Sequence, residues 1–403
     1  MDASREVEYR PVSVKEVLSE MKDTAELLID LSYSAVLFGS EDVAAEVLEL
    51  EERMDVLQLQ ARMSLLMAAR TTDDAEQLAP VLGVVGAAEK ISDAAGDIAK
   101  IVLEEIGLPD AMRTALPEAV ESIVHGTLEA ESRFADRTLG EINLETETGV
   151  RVIAIRRGGD GEWLLNPDLE TTLEPGDSLL MRGSEENLAP VYETVTGTPY
   201  ETPEPVEPGI ADLERAVDAI VLMKNMSELA VDIAYGSVLY DSSELAEEVA
   251  ALEAEVDQLE SRFEAWTLRA ASRVDDPVDL RGLVHLAEST EVISDAALEI
   301  SEGVLRGLGT HPVVAEAVHE SDEVIVRFTV GEGSSLDGAT LGEQMVRTET
   351  GMRVIAVRHP RASADEDDEW EIQPGPETEL HASDVLLAKG TRKGSDRLEE
   401  LVV

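Results

Sequence analysis

Cysteine is absent from the 403 residues, which excludes disulfides, thiolate metal sites and cysteine nucleophiles. Histidine is scarce: His125, His285, His311, His319, His359 and His381 form no i,i+3 or i,i+4 pair, which argues against a helical zinc-hydrolase centre. No apolar run approaches the roughly 18–20 residues that a membrane-spanning helix needs, and no signal peptide is visible. Positive charge is short as well. With 32 basic against 86 acidic residues and a net charge of −54, the chain is a poor partner for nucleic acid, whose binding rests on phosphate neutralisation. Neither G-x-G-x-x-G nor a Walker loop occurs, and nothing resembles a Ser/His/Asp triad or an isolated carboxylate dyad. The expectation is a soluble, cytoplasmic, non-enzymatic protein.

What is present is a 43% apolar fraction, enough to argue for folded domains despite the charge, which is spread along the chain. The length suits two to four domains. Arginine dominates the basic residues and lysine is rare. Such a surface suits a molar-salt cytoplasm, where the screening length falls to about 3 Å and self-repulsion is muted. A halophile's protein that needs high KCl to stay compact is expected.

The chain repeats itself. Glu89, Ser92, Asp93 and Ile98 match Glu291, Ser294, Asp295 and Ile300, an offset of 291 − 89 = 202. The register holds from about residue 11 to 157. It then becomes 207, with Trp163 matching Trp370 and Asp177 matching Asp384. The added residues are assigned to the acidic stretch 363–369, a loop insertion of low cost. Between the copies lies a Pro-rich, extended linker, 196–208.

Each copy has a helical half and a strand-rich half. Apolar residues at helical spacing (Val14, Val17, Leu18, Met21, Ala25, Leu28) predict a helix over 11–38. Gly39 and Ser40 are its stop and the next N-cap, and further helices are predicted over 41–70 and 74–107. The same unit recurs at 211–240, 242–273 and 276–309. Short β-branched runs predict strands at 120–128, 151–156, 178–182, 324–330 and 353–358, with a turn at Pro175-Gly176-Asp177. Gly83 and Gly86 lie inside a helical pattern and mark close helix packing. Trp163 and Trp370, at equivalent places, are read as packing anchors.

Every long helix carries acids at i,i+4, stacked one turn apart on one face. The pairs are Glu26/Asp30, Glu51/Asp55, Glu228/Asp232 and Glu253/Asp257, with the triplets Glu89/Asp93/Asp97 and Glu291/Asp295/Glu299. Like charges at that spacing repel by a few tenths of a kcal/mol each. Inward-facing rows of this kind supply the oxygen ligands that divalent cations take. The competing reading is a solvated face, common in so acidic a chain.

The stretch from Glu89 to Ala99 resembles the signature helix of the PhoU family, roughly E-R-I-G-D-H-A-x-N-I-A. That resemblance implies a six-helix assembly of two three-helix halves, with divalent metal on the motif acids Glu89, Asp93, Asp97, Glu291, Asp295 and Glu299, supported by Glu51, Asp55, Glu253 and Asp257. The chain departs from the motif at Ala94 and Ala296, where the family has histidine, and at Asp97 and Glu299, where it has asparagine. The other halves resemble the C-terminal regulatory domain of TrkA and RCK proteins. That resemblance rests on Leu139-Gly140, Thr148-Gly149 with the strand to Arg157, and Pro175-Gly176-Asp177 with the strand to Gly183. The second copy carries Leu341-Gly342, Thr350-Gly351 and the strands to Arg358 and Gly390, with Ala382-Ser383 where the first has Pro-Gly.

Together these give a multidomain α and α+β chain: PhoU-like units at 1–110 and 209–311 alternate with TrkA-C-like domains at 111–195 and 312–403. The TrkA-C resemblance implies domains that pair face to face, bind a small effector and control cation transport. Expected effectors are a cyclic dinucleotide, potassium or a divalent metal, and the expected partner is a membrane cation transporter or channel. Arg151, Arg156, Arg157, Arg353 and Arg358 are the candidates for an anionic ligand. For Arg156 and Arg358 ligand binding and local charge balance stand level, and for the other three balance is preferred. A homodimer or an intrachain pseudo-dimer is expected, with the intrachain pairing preferred. A PhoU-type regulator of phosphate uptake or signalling is the alternative.

Overall fold

The computed structural model describes residues 13–68, 71–115, 122–158, 163–200, 209–308, 311–321, 323–359 and 370–403. The acidic insertion at 363–369 and most of the proline-rich linker lie outside them. In the first copy, the helices α1 (Val14–Phe38), α2 (Glu41–Ala68), α3 (Thr72–Leu103) and α4 (Asp110–Ala115) precede β1 (Ser122–Thr127) and β2 (Arg137–Thr138). Then come α5 (Leu139–Ile142), α6 (Leu144–Thr148), β3 (Arg151–Arg156), β4 (Trp163–Leu165), β5 (Thr172–Leu173), β6 (Ser178–Gly183) and α7 (Glu185–Thr196). The second copy begins with α8 (Ala211–Tyr240), α9 (Ser243–Ala271), a 3₁₀ turn (Pro277–Leu280), α10 (Arg281–Leu305) and α11 (Pro312–Glu320). It ends with β7 (Val324–Thr329), β8 (Ala339–Thr340), α12 (Val346–Thr350), β9 (Arg353–Arg358), β10 (Trp370–Ile372), β11 (Glu379–Leu380), β12 (Val385–Gly390) and α13 (Arg392–Val402).

Two compact units result. The first comprises residues 1–107, 226–264 and 278–322, and the second 108–225, 265–277 and 323–403.

The first unit is helical. Gly39 closes α1 in the left-handed conformation (φ 58°), and the Ser40 hydroxyl accepts from the Val43 amide to open α2, as the sequence predicts. Helix α3 packs on α10, and small residues set the approach. A Cβ on Gly303 would meet Pro80 at 2.7 Å, and one on Gly83 would sit 3.7 Å from the Glu299 carbonyl. Buried Tyr33 meets the Thr290 hydroxyl at 2.7 Å. Thr290 itself donates to the Leu286 carbonyl, so the phenol is the donor to Thr290.

The second unit holds both strand-rich domains. Each has an antiparallel four-stranded sheet, ordered β1-β6-β3-β4 in one copy and β10-β9-β12-β7 in the other. Substituting equivalents shows the same strand order in both, read from opposite edges. Each sheet carries a register shift in its central pair, between Val152 and Ala154 in one copy and between Leu387 and Ala388 in the other. Each buries one face under its closing helix: Leu188, Val191 and Val195 of α7 join the first core, and Leu398 and Val402 of α13 the second. The turn at Pro175-Gly176-Asp177 forms with Gly176 at φ 89°.

Two elements depart from the sequence reading. Pro109 and Pro312 stand at helix starts. Pro312 is the first residue of α11, where its missing amide costs nothing and the His311 ring nitrogen accepts from the Val313 amide. The predicted helix over 276–309 divides into the 3₁₀ turn and α10.

Candidate effector site between the paired sheet domains

Within the second unit the two sheet domains meet inside one chain. The Thr146 and Thr391 hydroxyls lie 2.9 Å apart. Arg397 donates to the backbone carbonyls of Thr146 and Glu349, each at 3.1 Å, and pairs with Glu147. Gly351 (φ 71°) lies against the Glu145 backbone, so close that a Cβ would stand 2.7 Å from its carbonyl oxygen. The glycine contact is mirrored, since a Cβ on Gly149 would stand 3.7 Å from the Arg347 carbonyl oxygen, whereas the Arg397 contacts are not, because the position equivalent to Arg397 is Pro190.

A cleft opens beside this seam, lined by Glu145, Gly149, Arg151, Arg182, Glu323, Arg347, Gly351, Arg353, Lys389 and Gly390. The strand registers explain its charge. Arg151 on β3 faces Arg182 on β6, and Arg353 on β9 faces Lys389 on β12. Like charges directly opposite one another destabilise a sheet pair, so both copies need a counter-charge here. Buried Glu323, just before β7, supplies one. Arg182 reaches both of its oxygens at 3.0 Å, Arg151 approaches at 3.3 Å and Lys389 at 3.4 Å. Arg151 also donates to Asn166 at 2.8 Å.

Three of the ten lining residues are glycines, and at each of them other protein atoms stand within 3 Å of where a Cβ would be. Five are basic and two acidic, in a chain whose total is −54. The lining pairs off across the duplication: Gly149 with Gly351, Arg151 with Arg353, Arg182 with Lys389. Glu145 and Arg347 break the symmetry. The arrangement can hold an anion with more than one charged group, because guanidinium forks grip phosphate and carboxylate oxygens in a fixed geometry.

The five sequence-predicted arginines divide differently from the sequence reading. Arg151 and Arg353 line the cleft. Arg156 and Arg358 instead lie over the rings of their cross-strand neighbours Trp163 and Trp370, at 5.8 and 5.4 Å. Arg157 pairs with buried Asp177. At its counterpart, His359 meets Asp384 at 3.0 Å and Glu371 at 3.4 Å. Arg182, Arg347, Lys389 and Glu323 were missed. The available signal was the basic residue retained before Gly183 and Gly390 in both copies.

The acidic rows lie in the helical unit. Glu26 is paired with buried Lys22 at 2.9 Å, and that ammonium lies 5.4 Å from the centre of the Tyr235 ring. Asp30 and Asp232 are buried, and Glu228 stands close enough to act on Tyr33. Glu51 sits against bare Gly96, where a Cβ would come 2.2 Å from its carboxylate oxygen. Burial pushes the Glu51 and Asp93 carboxyls up, opposed at Glu51 by Lys100 and reinforced by neighbours that include Asp97 and Asp55, with Glu89 acting on Asp93. In the other copy Glu253 is raised by burial with Asp257 and Asp295. Glu291 is raised to about 7, first by burial, then by Glu260, Asp257, Asp295 and Glu253. The rows supply hard oxygen donors of the kind a divalent metal takes, but among the described residues no three such groups converge closely enough to hold the ion that the PhoU resemblance implies. At the second motif Lys90 already contacts Asp295 and Glu299.

No helix among the described residues is long and apolar enough to cross a membrane. The PhoU domain family matches residues 18–102 and 220–304, and the TrkA-C domain family matches 127–195 and 325–403. A probable potassium channel protein 2 of Methanocaldococcus jannaschii is 28% identical over 135 residues, 34% of this chain and 34% of that protein. The match therefore spans about a third of that relative's length. Among solved structures, PhoU from Pseudomonas aeruginosa is 13% identical with a TM-score of 0.41, covering 73% of this chain and 96% of that one. The GsuK channel bound to NAD is 14% identical with a TM-score of 0.18, over 72% of this chain and 57% of that one. The chain carries two PhoU domains alternating with two TrkA-C domains.

Proposed function

We propose that this chain is a non-enzymatic regulator of cation transport, potassium or divalent, that senses a small anionic effector in the cleft between its paired TrkA-C domains. The observation that carries the reading is the concentration of Arg151, Arg182, Arg347, Arg353 and Lys389 in one cleft of so acidic a chain. The partial relationship to a probable potassium channel supports the transport half of the proposal.

A cyclic dinucleotide suits the cleft best, since it brings two phosphates to a lining whose cations come in equivalent pairs. Potassium or a divalent metal is the weaker candidate there, because a cation meets a positive lining. Effector binding acts by differential affinity: it shifts the population toward the arrangement of the paired domains that grips it, and a membrane transporter reads that arrangement.

Co-purification from native membranes in molar KCl, with and without cyclic di-adenosine monophosphate, tests the reading. Recovery of a potassium, sodium or magnesium transporter supports it. The alternative is a regulator of phosphate uptake or signalling, favoured by the two PhoU domains. Recovery of phosphate-transport components or a histidine kinase would establish that alternative instead.

A further inference from the structure

The two acidic motifs of the helical unit are copies, yet their surroundings differ in two respects, the cations that reach them and the packing beside them. Residue 90 is lysine on α3, and its counterpart on α10 is Val292. The close packing of α3 on α10 brings that lysine onto the other copy's acids: its ammonium lies 2.8 Å from Glu299 and 3.1 Å from Asp295. No equivalent cation can come from Val292 to the first motif. There Lys100 contacts Asp97 from its own helix at 2.8 Å, and the position equivalent to Lys100 is Glu302.

The second difference is Gly96. The Glu51 carboxylate occupies the space beside it that a side chain would fill. The counterpart of Gly96 is Leu298, so Glu253 has no matching seat.

We propose that Lys90 is a built-in cation that occupies the second acidic motif, standing between Asp295 and Glu299 where a divalent metal would stand. At the first motif the cation comes from the same helix and serves one acid, Lys100 on Asp97, so the two copies are neutralised differently.

The chemistry follows from charge and donor count. An ammonium carries three N–H donors and one positive charge, enough to serve two carboxylates and to leave the pair with a single net negative charge. A divalent ion needs a larger set of oxygens and a site of higher negative charge. Contact with Glu299, ahead of that with Asp295, raises the Lys90 amine above its ordinary value, so it stays charged throughout the neutral range. Lys90, Asp295 and Glu299 are all partly exposed, so an ion in solution has access once the lysine is gone. This inference does not depend on the transport role.

Equilibrium dialysis of the full chain against Mn²⁺ in molar KCl tests it. Lys90→Met is expected to bind one more Mn²⁺ per chain than the wild type, while Lys90→Arg and the charge control Lys15→Met keep the wild-type count. Adding Asp295→Asn to Lys90→Met should abolish the extra ion. Equal counts for wild type and Lys90→Met overturn the proposal, as does a gain that survives Asp295→Asn. If Lys90→Met fails to fold, the wild-type background decides. Loss of a bound Mn²⁺ on Asp295→Asn plus Glu299→Gln would show the second motif already open and overturn the proposal, whereas an unchanged count supports it.

Discussion

One guanidinium nitrogen of Arg182 reaches both carboxylate oxygens of Glu323, each at 3.0 Å, across 141 residues of sequence. The two residues belong to different TrkA-C domains, so the pair ties one domain to the other at the cation-lined cleft. Replacing Glu323 by Gln leaves Arg151, Arg182 and Lys389 close together without their shared counter-charge. Removing one partner of a buried ion pair costs about 3–5 kcal/mol, and the partial exposure of the two arginines argues for the low end. Urea unfolding in KCl should show the loss, and added phosphate should restore more stability to Glu323→Gln than it adds to the wild type. Equal phosphate effects on both proteins would contradict the reading of this cluster as an anion seat.

Glu291 sets a pH dependence. Its carboxyl is raised from an ordinary 4.5 to about 7, by burial first and then by the acids around it. A carboxyl that holds its proton more tightly folded than unfolded contributes stability below pH 4.5 and loses it as the pH rises through about 7. Thermal unfolding at fixed salt should therefore fall from pH 5 toward pH 8, and Glu291→Gln should flatten part of that decline. A variant with the wild-type slope would remove Glu291 from the account.

Gly96 tests the difference between the copies. Leucine at this position, as at Leu298, would collide with the Glu51 carboxylate. Overpacking of this kind costs about 1–3 kcal/mol. Because the obstacle is the end of a flexible side chain, the low end is expected, and Glu51→Ala in the same chain should recover part of it.

Tyr33→Phe removes one buried hydrogen bond while leaving the Thr290 hydroxyl its own acceptor, the Leu286 carbonyl. The expected loss is about 1 kcal/mol. Tyr235→Phe makes a useful comparison, because the Tyr235 ring lies near the Lys22 ammonium and its π face survives the substitution.

The alternation of helical and sheet domains was legible because the chain states it twice. The strands Arg151–Arg156 and Arg353–Arg358 match their predicted bounds, since β-branched runs between a left-handed glycine and a polar turn allow little else. The short helices α4 and α11 escaped the reading, because a proline marks a helix start as readily as a stop and only the His311 cap places the start of α11. At the site, strand alternation gives the face of each arginine but not its neighbour across the ladder. Arg156 and Arg358 looked the stronger candidates until Trp163 and Trp370 proved to be their partners. Arg182 and Lys389 lie at the ends of apolar runs that read as ordinary buried strands, and Glu323 acquires its role only when the two domains meet.

The most direct test is equilibrium dialysis of the full chain in molar KCl against labelled cyclic di-adenosine monophosphate, with cyclic di-guanosine monophosphate, ATP and inorganic phosphate as competitors. Wild type is compared with Arg151→Ala plus Arg353→Ala, and with Arg156→Ala plus Arg358→Ala. The account predicts saturable binding at one site per chain, weakened at least tenfold by the first pair of substitutions and little by the second. Absence of saturable binding by any of these anions, or binding indifferent to Arg151 and Arg353, would contradict it.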